Sequence, residues 1–177
     1  MKFENIDFMK PKYLVLVLVF LVFNCEKKNR KDTLNLENWS KRKIYHVLKD
    51  SLEYGKSYLS IYSEIYSFTD SKKISLTSMV SLRNTSDLDT IYLLKAEYFD
   101  TEGKSIRKYF DYPIFIAPLE TTEIIIGEKD VTGGTGSNFI FEWKKQKNTP
   151  EPIFEAVMTS TMSQQGLSFT TQAKRIE

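Results

Sequence analysis

Short runs in which apolar and polar residues alternate recur along this chain, and clusters of turn-forming residues separate them. Because alternate side chains of a strand point to opposite faces, each run predicts a half-buried β-strand. The runs occupy 58–68, 74–82, 91–99, 104–112, 114–116, 121–126, 139–143, 153–162 and 167–173. No helical pattern alternates with them, so the series predicts an all-β fold, an antiparallel, immunoglobulin-like β-sandwich of about eight strands.

One connection carries a specific turn signature. The sequence Asp100-Thr101-Glu102-Gly103 separates two of the predicted strands. This order of residues is typical of a type I turn that is completed by a glycine in the left-handed conformation. It predicts that the flanking strands pair antiparallel.

The stretch from Gly127 to Trp143 holds four of the seven glycines and runs directly into a predicted strand. It matches neither the Walker A motif nor the dinucleotide-binding fingerprint, because neither a lysine nor a helix follows the glycines. We interpret the glycines first as structural, supplying positive φ angles for a tight, bulged entry into the strand. The alternative is a binding loop, since loops present the ligands of many sandwich domains. Its candidate residues are Asp130, Gly133, Gly134, Gly136, Asn138 and, from a later turn, Gln165.

Calcium binding is a further alternative for this stretch. Glu128, Asp130 and Thr132 precede Gly133 in the spacing of an EF-hand loop, but Phe139 stands where that loop needs a bidentate glutamate. The pattern therefore excludes an EF-hand and leaves calcium binding only with another geometry. No metal site is predicted.

Three tyrosines share one face of the first predicted strand, namely Tyr58, Tyr62 and Tyr66. We interpret them as side chains that pack on neighbouring strands at a sandwich edge. The alternative is an exposed aromatic face that binds sugars or peptides, because an aromatic ring combines a large apolar surface with, in tyrosine, a polar group.

The N-terminus predicts export. An unbroken apolar run, Tyr13 to Phe23, follows lysines at 2, 10 and 12, and it is shorter than the roughly 20 residues that a transmembrane helix needs. Its length and its basic leader are those of a signal peptide. The sequence Leu21-Val22-Phe23-Asn24-Cys25 resembles a bacterial lipobox, although the pattern usually has a small residue in place of Asn24. The resemblance implies cleavage after residue 24 and lipid on Cys25; the alternative is an ordinary secretory signal with a chance cysteine.

Three regions follow from these patterns: a lipoprotein signal peptide at 1–24, a lipidated cysteine with a polar tether and a short helix at 25–55, and the β-sandwich at 56–177. The helix is predicted because Ile44, Val47, Leu48 and Leu52 recur at helical spacing before Gly55. The sole histidine, His46, has no neighbouring Cys, Asp or Glu and is interpreted as an ordinary side chain.

Composition limits the function classes. A formal net charge of +2 does not indicate nucleic-acid binding, and a single cysteine with a single histidine provides neither a disulfide nor a zinc site. No nucleophile–base pair and no cofactor motif is present, so we expect no enzyme activity and no cofactor. The alternative is an envelope hydrolase that cleaves glycans through Asp and Glu carboxylates.

Several segments together resemble the bacterial family known as domain of unknown function 3124. They are YLSIYSEIY (58–66), LTSMVSLRNTS (76–86), YFDTEGKSIRKYFDYPIFIAPLETTE (98–123), EKDVTGGTGSNFIFEW (128–143) and EPIFEAVMTSTMSQQGLSF (151–169). The resemblance implies a small extracytoplasmic β domain, often exported or lipid-anchored, with no assigned activity.

Taken together, the sequence predicts a non-catalytic binding or assembly module of the bacterial envelope, anchored in the bilayer through Cys25. Glu26 follows the cysteine, which favours the outer membrane. The expected partners are an envelope protein or a glycan, and pairing of an edge strand with another chain is a third possibility. The oligomeric state is not predicted.

Overall fold

The computed structural model describes residues 37–161 and 166–177, and these residues form twelve strands and two short 3-10 turns. The 3-10 turns are Trp39–Arg42 and Gly134–Gly136. The strands are β1 (Glu53–Ser60), β2 (Glu64–Ser67), β3 (Thr69–Ser75), β4 (Thr77–Arg83), β5 (Ile91–Phe99), β6 (Ser105–Phe110), β7 (Ile114–Ile116), β8 (Thr121–Ile126), β9 (Asn138–Lys145), β10 (Ile153–Ser160), β11 (Leu167–Gln172) and β12 (Lys174–Arg175).

Two antiparallel sheets make up the sandwich. The six-stranded sheet has the order β12-β1-β9-β5-β6, with β7 also paired to β5, and the four-stranded sheet has the order β11-β10-β4-β8. Strands β2 and β3 pair only with each other and form a separate hairpin. The predicted all-β, antiparallel sandwich is confirmed. The described strands outnumber the eight or so expected because the first predicted strand is divided, β3 lies largely between two predicted runs, and β12 was not foreseen.

The core between the sheets is organised around β9. Every second residue of β9, beginning with Phe139, is buried, as the alternation predicts. Its rings continue a stack: the centroid of Phe141 lies 5.3 Å from that of Phe139 and 4.3 Å from that of Phe154, while Tyr98 lies 5.0 Å beyond Phe139. Such offset pairs add to the free energy gained from burial of apolar area.

A lysine closes the buried row of β9. Lys145 is buried, and its Nζ atom lies 2.8 Å from Oε2 of Glu53 and donates to the backbone carbonyls of Gln146 and Lys147. A buried ammonium is tolerated only when it is paired and hydrogen-bonded. The core position of Lys145 is therefore maintained by β1, the strand that carries Glu53.

The helix predicted before Gly55 is wrong. Only Trp39–Arg42 forms a 3-10 turn, and Trp39 packs on Phe110 with their ring centroids 5.0 Å apart. Val47, predicted on the apolar face, is exposed. Gly55 lies inside β1, where the ring of Trp143 occupies the space that a side chain would need. Pairing of β1 with β9 and docking of Trp39 on the core therefore override the local helical pattern.

The strand predicted over 58–68 is two strands in different sheets. Strand β1 ends at Ser60, and the N–H of Ile61 donates to the carbonyl of Ser137. The N–H of Leu76 donates to the carbonyl of Ser63, so that these two residues close the base of the β2–β3 hairpin. Alternation continues through the break because Ile61 is itself buried, and the sequence pattern therefore does not reveal the break.

No helix within the described ranges, 37–161 and 166–177, is long and apolar enough to cross a membrane. The predicted signal peptide at 1–24, Cys25 and most of the tether lie outside those ranges.

Candidate functional site

One end of the sandwich gathers the segments in which the candidate residues lie. In the six-stranded sheet Asn138, at the start of β9, pairs with Ser60 at the end of β1 and with Phe99 at the end of β5. The connections beyond these three positions therefore lie side by side. They are the base of the β2–β3 hairpin, the 100–104 turn and the 127–137 loop, which we call the glycine loop.

The 100–104 turn has the predicted geometry and supports the glycine loop. Gly103 has a φ of 79°, and the Asp100 carboxylate accepts the backbone N–H groups of Glu102 and Lys104. The Thr101 hydroxyl donates to the carbonyl of Gly133 at 3.1 Å and accepts the N–H of Gly136 at 2.9 Å. A single threonine therefore holds both sides of the glycine-rich turn.

Gly133 packs against a buried hydroxyl pair. The hydroxyls of Ser63 and Tyr98 share a hydrogen bond of 2.7 Å, and both residues are fully buried. A Cβ atom on Gly133 would overlap the Tyr98 hydroxyl and would lie 2.6 Å from Oγ of Ser63. Burial raises the pKa of Tyr98 above its ordinary value, and the phenol therefore stays neutral. Gly133 is required for close packing and has an ordinary φ of −70°.

Asp130 is bound by residues of its own chain. Its Oδ2 atom lies 2.8 Å from an Arg107 guanidinium nitrogen, and its Oδ1 atom accepts the Thr132 hydroxyl at 2.6 Å. Burial opposes ionisation of this carboxyl, but the hydrogen bonds from Thr132 and Arg107 outweigh it and hold the pKa of Asp130 below its ordinary value. The arginine already supplies the cation that a free carboxylate would attract.

The calcium alternative gains little from this arrangement. Within 37–161 and 166–177 no group of three or more His, Cys, Asp or Glu side chains is placed to hold a metal ion. One oxygen of Glu128 is buried and has no hydrogen-bond partner among these residues. Calcium needs about six to eight oxygen ligands, so one oxygen beside an arginine-bound aspartate does not make a site.

The remaining candidate residues of the glycine loop have structural roles in the turn or in the start of β9. Gly134 has a φ of 72°, as the structural interpretation predicts, whereas the φ angle of Gly133 is negative. Gly136 is packed against Thr101, and Asn138 is half-buried as the first residue of β9. Gln165 lies outside the described residues. Ligand binding by this loop therefore stays a prediction.

The three tyrosines do not share a strand. Tyr58 lies on β1 and is 37 % exposed, whereas Tyr66 lies on β2 in the hairpin and is 55 % exposed. Tyr62, in the segment between them, is half-buried and packs edge-on against Phe169 with their centroids 5.7 Å apart. A sugar or peptide that used all three rings would have to bridge two separate strands.

The tip of the hairpin carries a feature that was not predicted from the sequence. Phe68 has a φ of 63° and is 95 % exposed. Next to it, the Thr69 hydroxyl oxygen accepts the backbone N–H of Lys72 at 3.2 Å, and the Lys72 ammonium lies 5.6 Å from the centre of the Phe68 ring. The cluster of polar residues after Phe68 is a turn signal that could have located this tip.

Three pairs of carboxylates each converge on one cation. The pairs are Glu97 with Glu142 around Lys95, Glu53 with Glu151 around Arg175, and Glu37 with Glu120 around Arg42. Glu97 is buried, and burial alone would raise its pKa, but hydrogen bonds from Lys95 and Ser105 outweigh that effect and lower it. In each pair, two carboxylates therefore share one cation.

A cavity of about 330 Å³ lies at the opposite end of the sandwich. Its lining includes His46, Leu48, Leu52, Tyr92 and Lys147. His46 is exposed in an irregular segment, and its interpretation as an ordinary side chain stays a prediction. The lining mixes polar and apolar residues, so the cavity does not indicate a ligand class.

Sequence reasoning missed Ser63, Tyr98 and Thr101, the residues that position the glycine loop. Ser63 and Tyr98 are 35 positions apart, and Thr101 lies 32 positions from Gly133. Contacts at such separations leave no local pattern. Tyr98 was visible only as one aromatic residue of an alternating strand.

Comparison with known proteins agrees with the resemblance found in the sequence. No curated protein and no solved structure matches the chain. A family model described as a protein of unknown function (DUF3124) matches residues 54–176, from the start of β1 to the residue before the C-terminus. Since the match covers well over half of the chain, the protein belongs to this family of unknown function, DUF3124.

Proposed function

We propose that this chain is a non-catalytic binding or assembly module, held at the bacterial cell envelope by lipid on Cys25. The observation that carries the proposal is the state of the acidic side chains, because the three carboxylate pairs of the sandwich each share a cation. Such pairs stabilise a folded domain. Two of these carboxyls, Glu53 and Glu97, have a lowered pKa and do not supply the proton donor that hydrolysis of a glycosidic bond needs.

The electrostatics favour this reading over the glycan hydrolase. A general acid of a glycosidase must keep its proton near neutral pH, and its pKa is therefore raised. Here hydrogen bonds from Lys145 and Arg175 lower the pKa of Glu53, and Glu97 is shifted in the same direction. Neither carboxyl is suited to donate a proton to a leaving group.

The anchoring part of the proposal rests on the sequence. Residues Leu21 to Cys25 end an apolar run of signal-peptide length and resemble a lipobox. One acyl chain binds a bilayer only marginally, whereas the several chains of a mature lipoprotein hold it stably. Acylation also explains why an exported chain has one cysteine, since a free exposed thiol is reactive in an oxidising compartment.

The binding part of the proposal uses the end of the sandwich that carries the glycine loop. Residues 127–137, the 100–104 turn and the β2–β3 hairpin meet there and are cross-linked by side-chain hydrogen bonds. A rigid group of loops loses little conformational entropy when a partner binds. The partner that fits the proposed location is an envelope protein or a glycan.

The anchor is tested by intact mass and membrane fractionation of the wild type and of Cys25→Ala in a Gram-negative host. The expected wild type begins at Cys25, carries acyl chains and fractionates with membranes, whereas Cys25→Ala is neither acylated nor cut before residue 25. Asn24→Gly is the matched control, because it restores a small residue before the cysteine and is expected to leave acylation intact. A soluble wild type that is cut elsewhere would overturn the anchor.

The non-catalytic part is tested with isolated envelope glycans. The purified chain is expected to release no reducing ends above a boiled sample, and Glu97→Gln and Glu53→Gln are expected to behave identically. Release that is lost in either variant would establish the hydrolase instead.

A further inference from the structure

Phe68 combines two unfavourable properties, and the described contact of its ring is with the mobile end of one exposed side chain, the Lys72 ammonium. A bulky residue at a φ of 63° is an outlier, because its Cβ is crowded by the backbone. The ring is also 95 % exposed, so almost none of its apolar area is removed from water. Glycine or asparagine would form the same tip without strain. The ring is therefore useful for contact outside this chain.

Leu119 shows why the combination at Phe68 is informative. It also has a positive φ, 58°, and is 69 % exposed. Its backbone conformation, however, completes a turn with Pro118, and its N–H donates to the carbonyl of Ser86 at 2.9 Å. That turn links β7 to β8 and ties two connections together. Phe68 ends a two-stranded hairpin that pairs with no other strand.

Two backbone N–H groups of the tip already have hydrogen-bond partners within the tip. The Thr69 hydroxyl oxygen accepts the N–H groups of both Ser71 and Lys72, at 3.4 and 3.2 Å. An N–H group that enters an apolar region without a partner is costly, and internal pairing reduces that cost. All residues of the hairpin from Thr69 to Lys73 are exposed, so a surface approaching the tip meets little else of the sandwich.

The side chains around Phe68 have the chemistry of a membrane interface. The Lys72 ammonium lies 5.6 Å from the Phe68 ring, and the Lys73 ammonium lies 5.4 Å from the ring of the exposed Tyr66. Tyrosine is enriched where hydrocarbon meets headgroups, and lysines near the surface are attracted to anionic lipid. Lys73 is also paired with Glu64, and Asp70 lies at the tip, so Lys72 provides the cation that is free to meet a phosphate.

The chain before the sandwich is long enough to bring the tip to a bilayer. Eleven residues lie between Cys25 and Glu37, and a fully extended chain of that length spans about 40 Å from one to the other. That distance exceeds the length of β1, which at eight residues is about 26 Å. Either end of the sandwich can therefore face a membrane in which Cys25 is anchored.

We propose that the hairpin tip, residues 66–73, inserts Phe68 into the headgroup region of an anionic bilayer and thereby orients the sandwich on the membrane. Lys72 contacts lipid phosphate, and Tyr66 lies at the level of the headgroups. The proposal rests on the proposed function only for the proximity of the bilayer, because the acyl chains bring the domain close and the tip determines its orientation.

The test uses the full lipidated chain reconstituted into vesicles of phosphatidylethanolamine and phosphatidylglycerol. Phe68→Cys is labelled with an apolar, environment-sensitive fluorophore that takes the place of the phenyl ring. Leu119→Cys with the same fluorophore is the matched control, since that residue is also apolar, exposed and at positive φ. The fluorophore at 68 is expected to shift to the blue and to be quenched by lipids brominated high on the acyl chain. The fluorophore at 119 is expected to remain accessible to aqueous iodide.

A variant of Lys72 tests whether the tip inserts through attraction to anionic lipid or touches the vesicle non-specifically. Adding Lys72→Gln to Phe68→Cys removes one positive charge and is expected to lower the equilibrium for insertion about fivefold in the anionic vesicles. It is expected to have no effect in phosphatidylcholine vesicles. Equal iodide quenching at 68 and 119 would overturn the proposal. A photo-cross-linking residue at 68 that joins a protein in cells, while the tip stays aqueous on vesicles, would also overturn it and assign the tip to a protein partner.

Failure of the lipid anchor is detected separately. The same fluorophore is applied to the wild-type chain, whose only cysteine is Cys25. Labelling of the wild type would show a free thiol and would contradict the proposed anchor, whatever the fluorophore at 68 reports.

Discussion

Gly133 and Phe68 lie at the same end of the sandwich. Glycine is the residue expected at a positive φ and a larger residue at a negative φ, but here the two are reversed. Gly133 has an ordinary φ of −70° but no room for a side chain, because Tyr98 and Ser63 fill the space. Phe68 has a φ of 63°, which suits glycine, yet it carries a large ring with almost complete exposure. The glycine serves packing inside the protein, whereas the phenylalanine provides a contact surface outside it.

The difference teaches where to look for binding in a domain of this kind. The glycine loop is held against the sandwich by Thr101, Tyr98 and Ser63, so that it offers a partner a preformed surface. The hairpin has no glycine, yet its tip residue is strained and exposed. Strain is kept at a position where the surroundings compensate for it or where it contributes to function.

Gly133→Ala should produce the largest effect. The new Cβ would overlap the Tyr98 hydroxyl within a fully buried contact, and overpacking of this kind costs about 2–3 kcal/mol. The free energy of unfolding, measured in urea, should fall by that amount. Gly166→Ala is the matched control, since no atom lies within 4 Å of its added Cβ, and it should leave stability nearly unchanged. Equal effects of the two variants on the free energy of unfolding would contradict the claim that Gly133 is required for close packing.

Tyr98→Phe should have a smaller effect and should partly rescue Gly133→Ala. The single variant loses a buried hydrogen bond of 2.7 Å and leaves the Ser63 hydroxyl without that partner, which costs about 1–2 kcal/mol. In the double variant the hydroxyl that overlaps the new Cβ is absent, so the two costs should not add. A double-mutant cycle should show a favourable coupling of about 1 kcal/mol. Strict additivity would mean that Gly133 is not limited by Tyr98.

Much of the fold was predictable because alternation along a strand is a local property. The buried row of β9 and the positive φ of Gly103 both follow from residues within one segment. The predicted helix failed because contacts with distant segments override the local spacing of Ile44 and Leu52. Residues 44–52 are irregular, Trp39 packs on Phe110, and the strand that pairs with β9 begins only at Glu53. The contact of Gly133 with Tyr98 joins distant segments, so no pattern in either one reveals it.

The pH dependence of the free energy of unfolding should report on Tyr98, the buried residue that contacts Gly133. Burial raises the pKa of Tyr98, so the unfolded chain loses this proton at a lower pH than the folded chain. Stability from this group is complete below the unfolded pKa of about 10 and falls as the pH rises from there through the folded pKa.

Urea midpoints between about pH 8 and about pH 11 should therefore fall more steeply for the wild type than for Tyr98→Phe. Tyr109, whose pKa is also raised by burial, is present in both proteins and cancels in the difference. Parallel curves would show that the Tyr98 phenol ionises as readily in the folded chain as in the unfolded chain.

Phe68→Gly should have the smallest effect on stability, with the opposite sign. Glycine adopts a φ of 63° without strain, and this gain exceeds its greater entropy in the unfolded chain, so unfolding should cost about 0.5–1 kcal/mol more. Phe68→Ala is the control, because it removes the ring but keeps the strain, and its stability should match that of the wild type.

On anionic vesicles both variants should lose the oriented state, although only the glycine variant gains stability. That outcome would show that the ring at position 68 serves membrane contact at the expense of the stability of the isolated chain. Loss of stability in Phe68→Ala would show instead that the ring packs on this protein. Phe68 would then resemble Gly133, as a residue chosen for the interior of the fold.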